Sequence, residues 1–361
     1  MSLTEEDPAG RPAVDSYSAL ALQLSCHAIN RCDGVEAARA RMQENLAHAA
    51  ERVQGSRLFL AAFGGAGPRL VVLPEYFLTS FPMGESIEAW KARACIEPDG
   101  AEYEQLGQIA QDNGLFLSGN AYETDPHFPD LYFQTSFIID DGGSLVLRYR
   151  RLVSMFAPTP HDVLDAYLDH YGADSLFPVA DTTLGRLACV ASEEILYPEI
   201  SRALALRGAE VICHSSSEVS SNLVTPKNIA KQARAYENMV YVVSANSAGI
   251  RDIALPEFCV DGHSQVVDYK GRVLAEAAFG ESLNGNGDIQ IDALRAARSK
   301  PAMTNLLARQ RLELFAPIYG GEPVHPANGL LHDGEVRVPD RAWFMRTQAD
   351  VIEALQRRGV I

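Results

Sequence analysis

The sequence predicts an α/β layered sandwich in which helices cover two sheets. Short apolar, β-branched runs alternate with stretches of helical periodicity, and two hairpin signatures interrupt that alternation. At 361 residues the chain can bury a substantial core, and 47% hydrophobic with 22% charged residues suits a soluble globular protein.

The polar stretch 1–16, which contains Pro and Gly, reads as a flexible tail and lacks the apolar core of a signal peptide. A strand is expected over 18–25. Ala, Arg, Glu and Leu at helical spacing predict a helix over 35–53. Leu70-Val71-Val72-Leu73 is a buried strand that Pro74 stops. A helix over 103–112 closes on Asn113-Gly114, and a strand follows at 115–118. Asp140-Asp141-Gly142-Gly143 joins strands 135–139 and 145–149 as a hairpin. Residues 155–180, rich in Pro, His, Asp and Tyr, form a long connection of the kind that serves as a lid or binding loop. Strand 187–191 runs into Ser192. Pro198 and Gly208 bracket a helix over 198–207. A strand at 211–215, a helix at 226–238 and a strand at 240–245 come next. Tyr269-Lys270-Gly271 turns a second hairpin between 264–268 and 272–275, and 287–291 is the last strand. Beyond residue 300 the pattern weakens to a polar helix over 305–315 and a tail rich in Pro and Gly. The domain is therefore expected over 17–300, with 301–361 as a C-terminal extension.

The net charge of −16 and a pI of about 5.0 argue against nucleic acid or an anionic membrane as partner, because both need a concentrated positive face. Six cysteines are scattered without a CxxC pair or a zinc-ligand spacing, which points to a reducing, cytoplasmic setting and no metal. There is no P-loop and no GxGxxG after a strand, so no cofactor is expected.

Four stretches carry a resemblance. They are Leu73-Pro74-Glu75 after an apolar strand, Tyr149-Arg150-Arg151 after the first hairpin, the run from Gly185 through Ser192-Glu193-Glu194 to Pro198-Glu199, and Ala233-Arg234-Ala235-Tyr236-Glu237-Asn238. In this order and spacing they resemble the nitrilase (carbon–nitrogen hydrolase) superfamily over about residues 17–300. The resemblance implies a four-layer α-β-β-α sandwich, a dimer or higher homo-oligomer formed through helices, and a small-molecule substrate. It also implies a site in which a glutamate takes a proton from a cysteine, the thiolate attacks a carbonyl or nitrile carbon, and a lysine steadies the developing charge.

Carried over residue by residue, the glutamate is Glu75. The lysine falls at Arg151, which keeps the charge but has no proton to shuttle. The cysteine, six residues before Pro198, falls at Ser192. Cys189 is no substitute, since three residues earlier on a strand its side chain points to the other face. Tyr76, Glu193, Glu194, His214 and His161 are the expected substrate-binding residues, His161 entering from the 155–180 connection. A serine hydroxyl is a far weaker acid than a thiol and usually needs a histidine base. Three readings follow from that substitution. The chain is an amidase-like hydrolase with a Glu-Arg-Ser site, or an inactive relative that binds a small molecule or partner, or a cysteine hydrolase inactivated by a Cys-to-Ser change.

Overall fold

A computed structural model describes residues 10–321 and 323–361. Its first half runs β1 (Tyr17–Ala21), β2 (Leu24–His27), α1 (Gly34–Gly64), β3 (Leu70–Val72), α2 (Ile87–Ala94), α3 (Ala101–Asn113), β4 (Phe116–Thr124), β5 (Tyr132–Ile139) and β6 (Leu145–Arg150). After a connection that contains α4 (Leu164–Tyr171) come β7 (Ala180–Thr182), β8 (Gly185–Ala191), α5 (Pro198–Leu206), β9 (Val211–Ser215), α6 (Pro226–Asn238) and β10 (Tyr241–Ala245). The domain closes with β11 (Ser247–Arg251), β12 (Gln265–Val267), β13 (Val273–Glu276), β14 (Asn286–Ile289) and α7 (Ile291–Ser299). A short α8 (Ala316–Tyr319) and a long α9 (Arg341–Arg357) follow.

Two six-stranded sheets form, in the orders β14-β1-β3-β4-β5-β6 and β13-β12-β10-β9-β8-β7. Each has a parallel centre (β1, β3 and β4; β8, β9 and β10) and antiparallel edges. Apolar side chains of both sheets, among them Val72, Ile138, Val190 and Val242, share one core cluster. Cys189 lies in it, its sulfur 3.8 Å from Ser118 Oγ. Residues of α1, α2 and α3 pack on the first sheet through Met42, Trp90 and Leu106, and residues of α5 and α6 pack on the second through Leu204 and Ala235. The layers are therefore α-β-β-α, as expected.

Several elements depart from the sequence reading. The single strand expected over 18–25 splits. β1 stays in the first sheet, while β2 leaves it to pair with β11. The strand expected at 115–118 continues to Thr124, because the polar residues that hid its second half are buried and paired. Asn120 donates to Ser136 Oγ at 2.9 Å, and Glu123 accepts from Tyr103 and Arg148, each at 2.9 Å. The 155–180 connection holds α4 and two 3-10 turns, the first fixed by reciprocal bonds between Thr159 and Asp162. The helix expected over 305–315 is absent. Asn305 instead donates to the Arg298 and Lys300 carbonyls, which turns the chain. The missed helix is α9, started by Asp340 accepting from Trp343 N at 2.6 Å. Trp343 packs beside Leu330, Phe128, Val163 and Tyr167, so the extension lies on the 155–180 connection. Of the expected tail, residues 1–9 lie outside the described residues, and Val14 is buried against the core.

One buried ion pair ties α7 to the second sheet. Glu210 is fully buried and accepts from Arg295 at 2.7 and 3.1 Å and from Arg186 N at 2.9 Å. Glu210→Ala removes the buried carboxylate that accepts from Arg295 and Arg186 N, and is expected to cost about 3–5 kcal/mol in urea unfolding. The exposed pair Arg357–Glu353 on α9 gives the contrast: Glu353→Ala is expected to cost less than about 1 kcal/mol. Equal shifts in the two variants would refute this account.

Candidate active site

Glu75 lies three residues past the end of β3, Arg151 and Ser192 directly follow β6 and β8, and the packing of the two sheets brings these segments together. Two hydrogen bonds stitch the sheets here: Glu75 N donates to Ser216 O at 3.2 Å, and Ser215 Oγ donates to Leu73 O at 2.8 Å. Pro74 ends β3 because it offers no N–H to the ladder.

Glu75 is 2% exposed. Its Oε1 accepts from Gln134 Nε2 at 2.7 Å and from Arg151 Nη1 at 3.4 Å. Its Oε2 is buried without a partner. Arg151 donates through Nε to Val153 O at 2.8 Å, through Nη1 to Gln134 Oε1 as well as Glu75, and through Nη2 to Glu193. Burial works against the charge on this guanidinium, but the carboxylates of Glu75 and Glu193 outweigh it, so its pKa lies above the ordinary arginine range.

Ser192 begins a 3-10 turn, Ser192–Leu196, with φ of 48°. A left-handed conformation in a non-glycine residue is strained, and such strain collects at functional positions. The residue is 6% exposed. Its carbonyl oxygen lies 2.8 Å from His214 Nε2, and its hydroxyl lies 3.5 Å from Lys227 Nζ.

His214 is fully buried. Burial pushes its pKa well below the ordinary histidine value, so the ring is neutral. Nε2–H must donate to the Ser192 carbonyl, which leaves Nδ1 to accept from Ser244 Oγ at 2.8 Å. Nε2 thus holds the backbone of Ser192, and Nδ1 ties the ring to Ser244.

Glu194 is no pocket residue. Fully buried, it accepts from Tyr149 Oη at 2.8 Å, Leu152 N at 2.7 Å, Val153 N at 3.1 Å and Ala191 N at 3.2 Å. It clamps the segment after Arg151 to the end of β8.

Glu193 and His161 do line space. With Val153, Met155, Tyr197 and Trp343 they border a mainly apolar cavity of about 710 Å³ beside the Arg151–Glu193 pair. His161 stands 5.3 Å from the His325 ring and makes no bond to Ser192. Tyr76 follows Glu75 and rests on Phe81 at 5.0 Å. Burial, then the charge of Glu75, raises its pKa well above the phenol value. Among the described residues no cluster of His, Cys, Asp or Glu fits a metal ion.

Two residues of the site escaped the sequence reading. Gln134 bridges Glu75 and Arg151 from within β5, and the signal was an amide in an apolar strand. Lys227 enters from the first turn of α6. The signal was a cation at a helix N-terminus, where the macrodipole disfavours it.

Burial raises the Glu194 pKa from 4.5 to about 7. The folded state then holds this proton to higher pH than the unfolded state. The stability it contributes is full below about pH 4.5 and is lost as pH rises through about 7. Glu194→Gln removes the titration and also sets an amide N–H2 against backbone donors, at a cost of about 1–3 kcal/mol. The stability difference between wild type and variant should therefore shrink as pH rises from 4.5 to 7, measured by urea unfolding. A difference that stays flat with pH would refute it.

The sequence pattern of the carbon-nitrogen hydrolase family matches residues 34–299. Among curated proteins, the chain is 28% identical over 230 residues to the nitrilase and fragile histidine triad fusion protein NitFhit of Caenorhabditis elegans, covering 62% of this chain and 50% of that protein. It is 26% identical over 216 residues to a formamidase of Bacillus thuringiensis, covering 59% of each. The chain thus spans between half and three-fifths of the length of these relatives. Among solved structures, a carbon-nitrogen hydrolase from Helicobacter pylori shares the fold with a TM-score of 0.63 at 18% identity, over 84% of this chain and 99% of that one. Among the described residues no helix is long and apolar enough to cross a membrane. With the greater part of its length matched by the family pattern, the chain belongs to the carbon-nitrogen hydrolase family.

Proposed function

We propose that the chain hydrolyses the C–N bond of a small neutral amide, with Ser192 carrying the acyl group. The observation that supports this most is the ion pair of a buried carboxylate with a buried guanidinium that also binds Glu193, the residue next to a strained serine. In this reading Ser192 and Arg151 stand where the family keeps its cysteine and lysine. Formamidase among the relatives supports an amide as substrate.

Each group has a task. A guanidinium has five N–H donors. Four are committed to Val153, Gln134, Glu75 and Glu193, and the second N–H of Nη2 is left for a carbonyl oxygen as it gains negative charge. The unpartnered Glu75 Oε2 is an acceptor that a substrate N–H would satisfy. The paired charges suit a neutral substrate, and the adjacent apolar cavity suits a substituent larger than a methyl group. Exposed Leu206, Ile229 and Tyr236 on α5 and α6 support a homo-oligomer joined through those helices. A cytoplasmic location remains part of the proposal.

Ammonia release from formamide, butyramide and hexanamide tests the reading. Wild type is expected to turn over at least one of them, Ser192→Ala to fall to background, and Arg151→Met to lose about 10²–10³-fold in kcat/KM. Binding of an amide by calorimetry without ammonia release would replace this reading with that of an inactive binding protein.

A further inference from the structure

We infer that Lys227, an α6 residue, is the general base and acid for Ser192, so that the nucleophile is driven by a serine–lysine pair. This rests on the amide-hydrolase reading above. Among the described residues no other group with a titratable side chain makes a hydrogen bond to the Ser192 hydroxyl. His214 spends both ring nitrogens on the Ser192 carbonyl and on Ser244. Arg151 has no lone pair and no proton to yield. Glu75 directs Oε1 to Gln134 and Arg151, and its Oε2 bonds to nothing, the Ser192 hydroxyl included.

Lys227 meets the geometric need. Thr225 Oγ1 accepts from Asn228 N at 3.2 Å and Pro226 fixes the first turn, so the Lys227 side chain leaves a rigid helix start. Its Nζ has three oxygen neighbours: Ser217 O at 2.8 Å, Ser216 Oγ at 3.4 Å and Ser192 Oγ at 3.5 Å. A neutral amine has two N–H bonds and one lone pair. The Ser217 carbonyl and the Ser216 hydroxyl accept the two donors, and the lone pair is left for the Ser192 O–H. Burial lowers the lysine pKa against the opposing pull of Glu75 and Glu218, and the positive end of the α6 dipole favours the same neutral form.

The reaction balances with water as the only co-reactant. Ser192 Oγ bonds to the amide carbon as its proton passes to Nζ. The tetrahedral intermediate collapses with loss of the C–N bond, and Nζ returns the proton to the leaving nitrogen, which departs as ammonia or an amine. Nζ then takes a proton from water as the water oxygen attacks the ester carbon. The C–Oγ bond breaks, Oγ recovers the proton from Nζ, and the acid leaves.

The test uses p-nitrophenyl acetate as the acylating probe on the full chain, with acetylation of Ser192 read by peptide mass spectrometry. Wild type should be acetylated at a rate that rises with pH through a value below the ordinary lysine range. Lys227→Met should lose about 10²–10⁴-fold and the pH step with it. Lys227→Arg keeps the charge without a usable lone pair and should be as slow as Lys227→Met. Added methylamine should partly restore Lys227→Ala. Circular dichroism and thermal unfolding confirm that each variant is folded. Equal acetylation and an unchanged pH profile in Lys227→Met, or restoration by Lys227→Arg, would overturn the base role and leave the hydrolase reading standing. No acetyl group on Ser192 of wild type would overturn both.

Discussion

The site is organised around one buried cation. The Arg151 guanidinium lies at the end of β6, out of reach of bulk water, and a charge in that position has to be paired and hydrogen-bonded. Its partners arrive from different places: Glu75 from the end of β3, Gln134 from β5, and Glu193 from the turn after β8. Satisfying one cation therefore fixes three segments relative to each other. The Ser192 turn is held from the other side by His214 and by Glu194, which accepts four hydrogen bonds across the junction of β6 and β8. Buried polar groups of this kind contribute little net stability but specify one arrangement, since any alternative leaves a donor or an acceptor unmet.

That organisation explains why the roles of neighbouring acids diverge. Glu193 and Glu194 are adjacent in sequence and begin the same 3-10 turn, yet one reaches Arg151 at the cavity edge and the other is sealed among backbone N–H groups. The arginine at 151 gives Glu75 an electrostatic partner but is a group that does not exchange protons. The amine of Lys227, 3.5 Å from the Ser192 hydroxyl, is a separate group from the Arg151 guanidinium. The C-terminal extension adds a third feature. Its α9 brings Trp343 against the 155–180 connection, and together they wall the apolar cavity beside the ion pair.

The sequence by itself determined the alternating elements and the positions where they stop. Pro74, Pro198, Pro226, Gly114 and the Asp140–Gly143 turn act through their own dihedrals, so helix 226–238 and strand 211–215 were legible to the residue. It also identified Glu75, Arg151 and Ser192 as residues at strand ends. Reading failed where burial was polar, as in the second half of β4, and where a helix depends on what it covers, as α9 does. Only the tertiary structure decided which side chains meet. His214, Glu194 and Tyr76 were expected to bind substrate on the strength of their location, but two of them turn inward to hold the backbone around the Ser192 turn. Gln134 and Lys227 gave no motif, because their partners Glu75 and Ser192 lie 59 and 35 residues away. A hydrogen bond forms between groups within about 3 Å, and proximity across two packed sheets is not encoded in any local stretch of the chain.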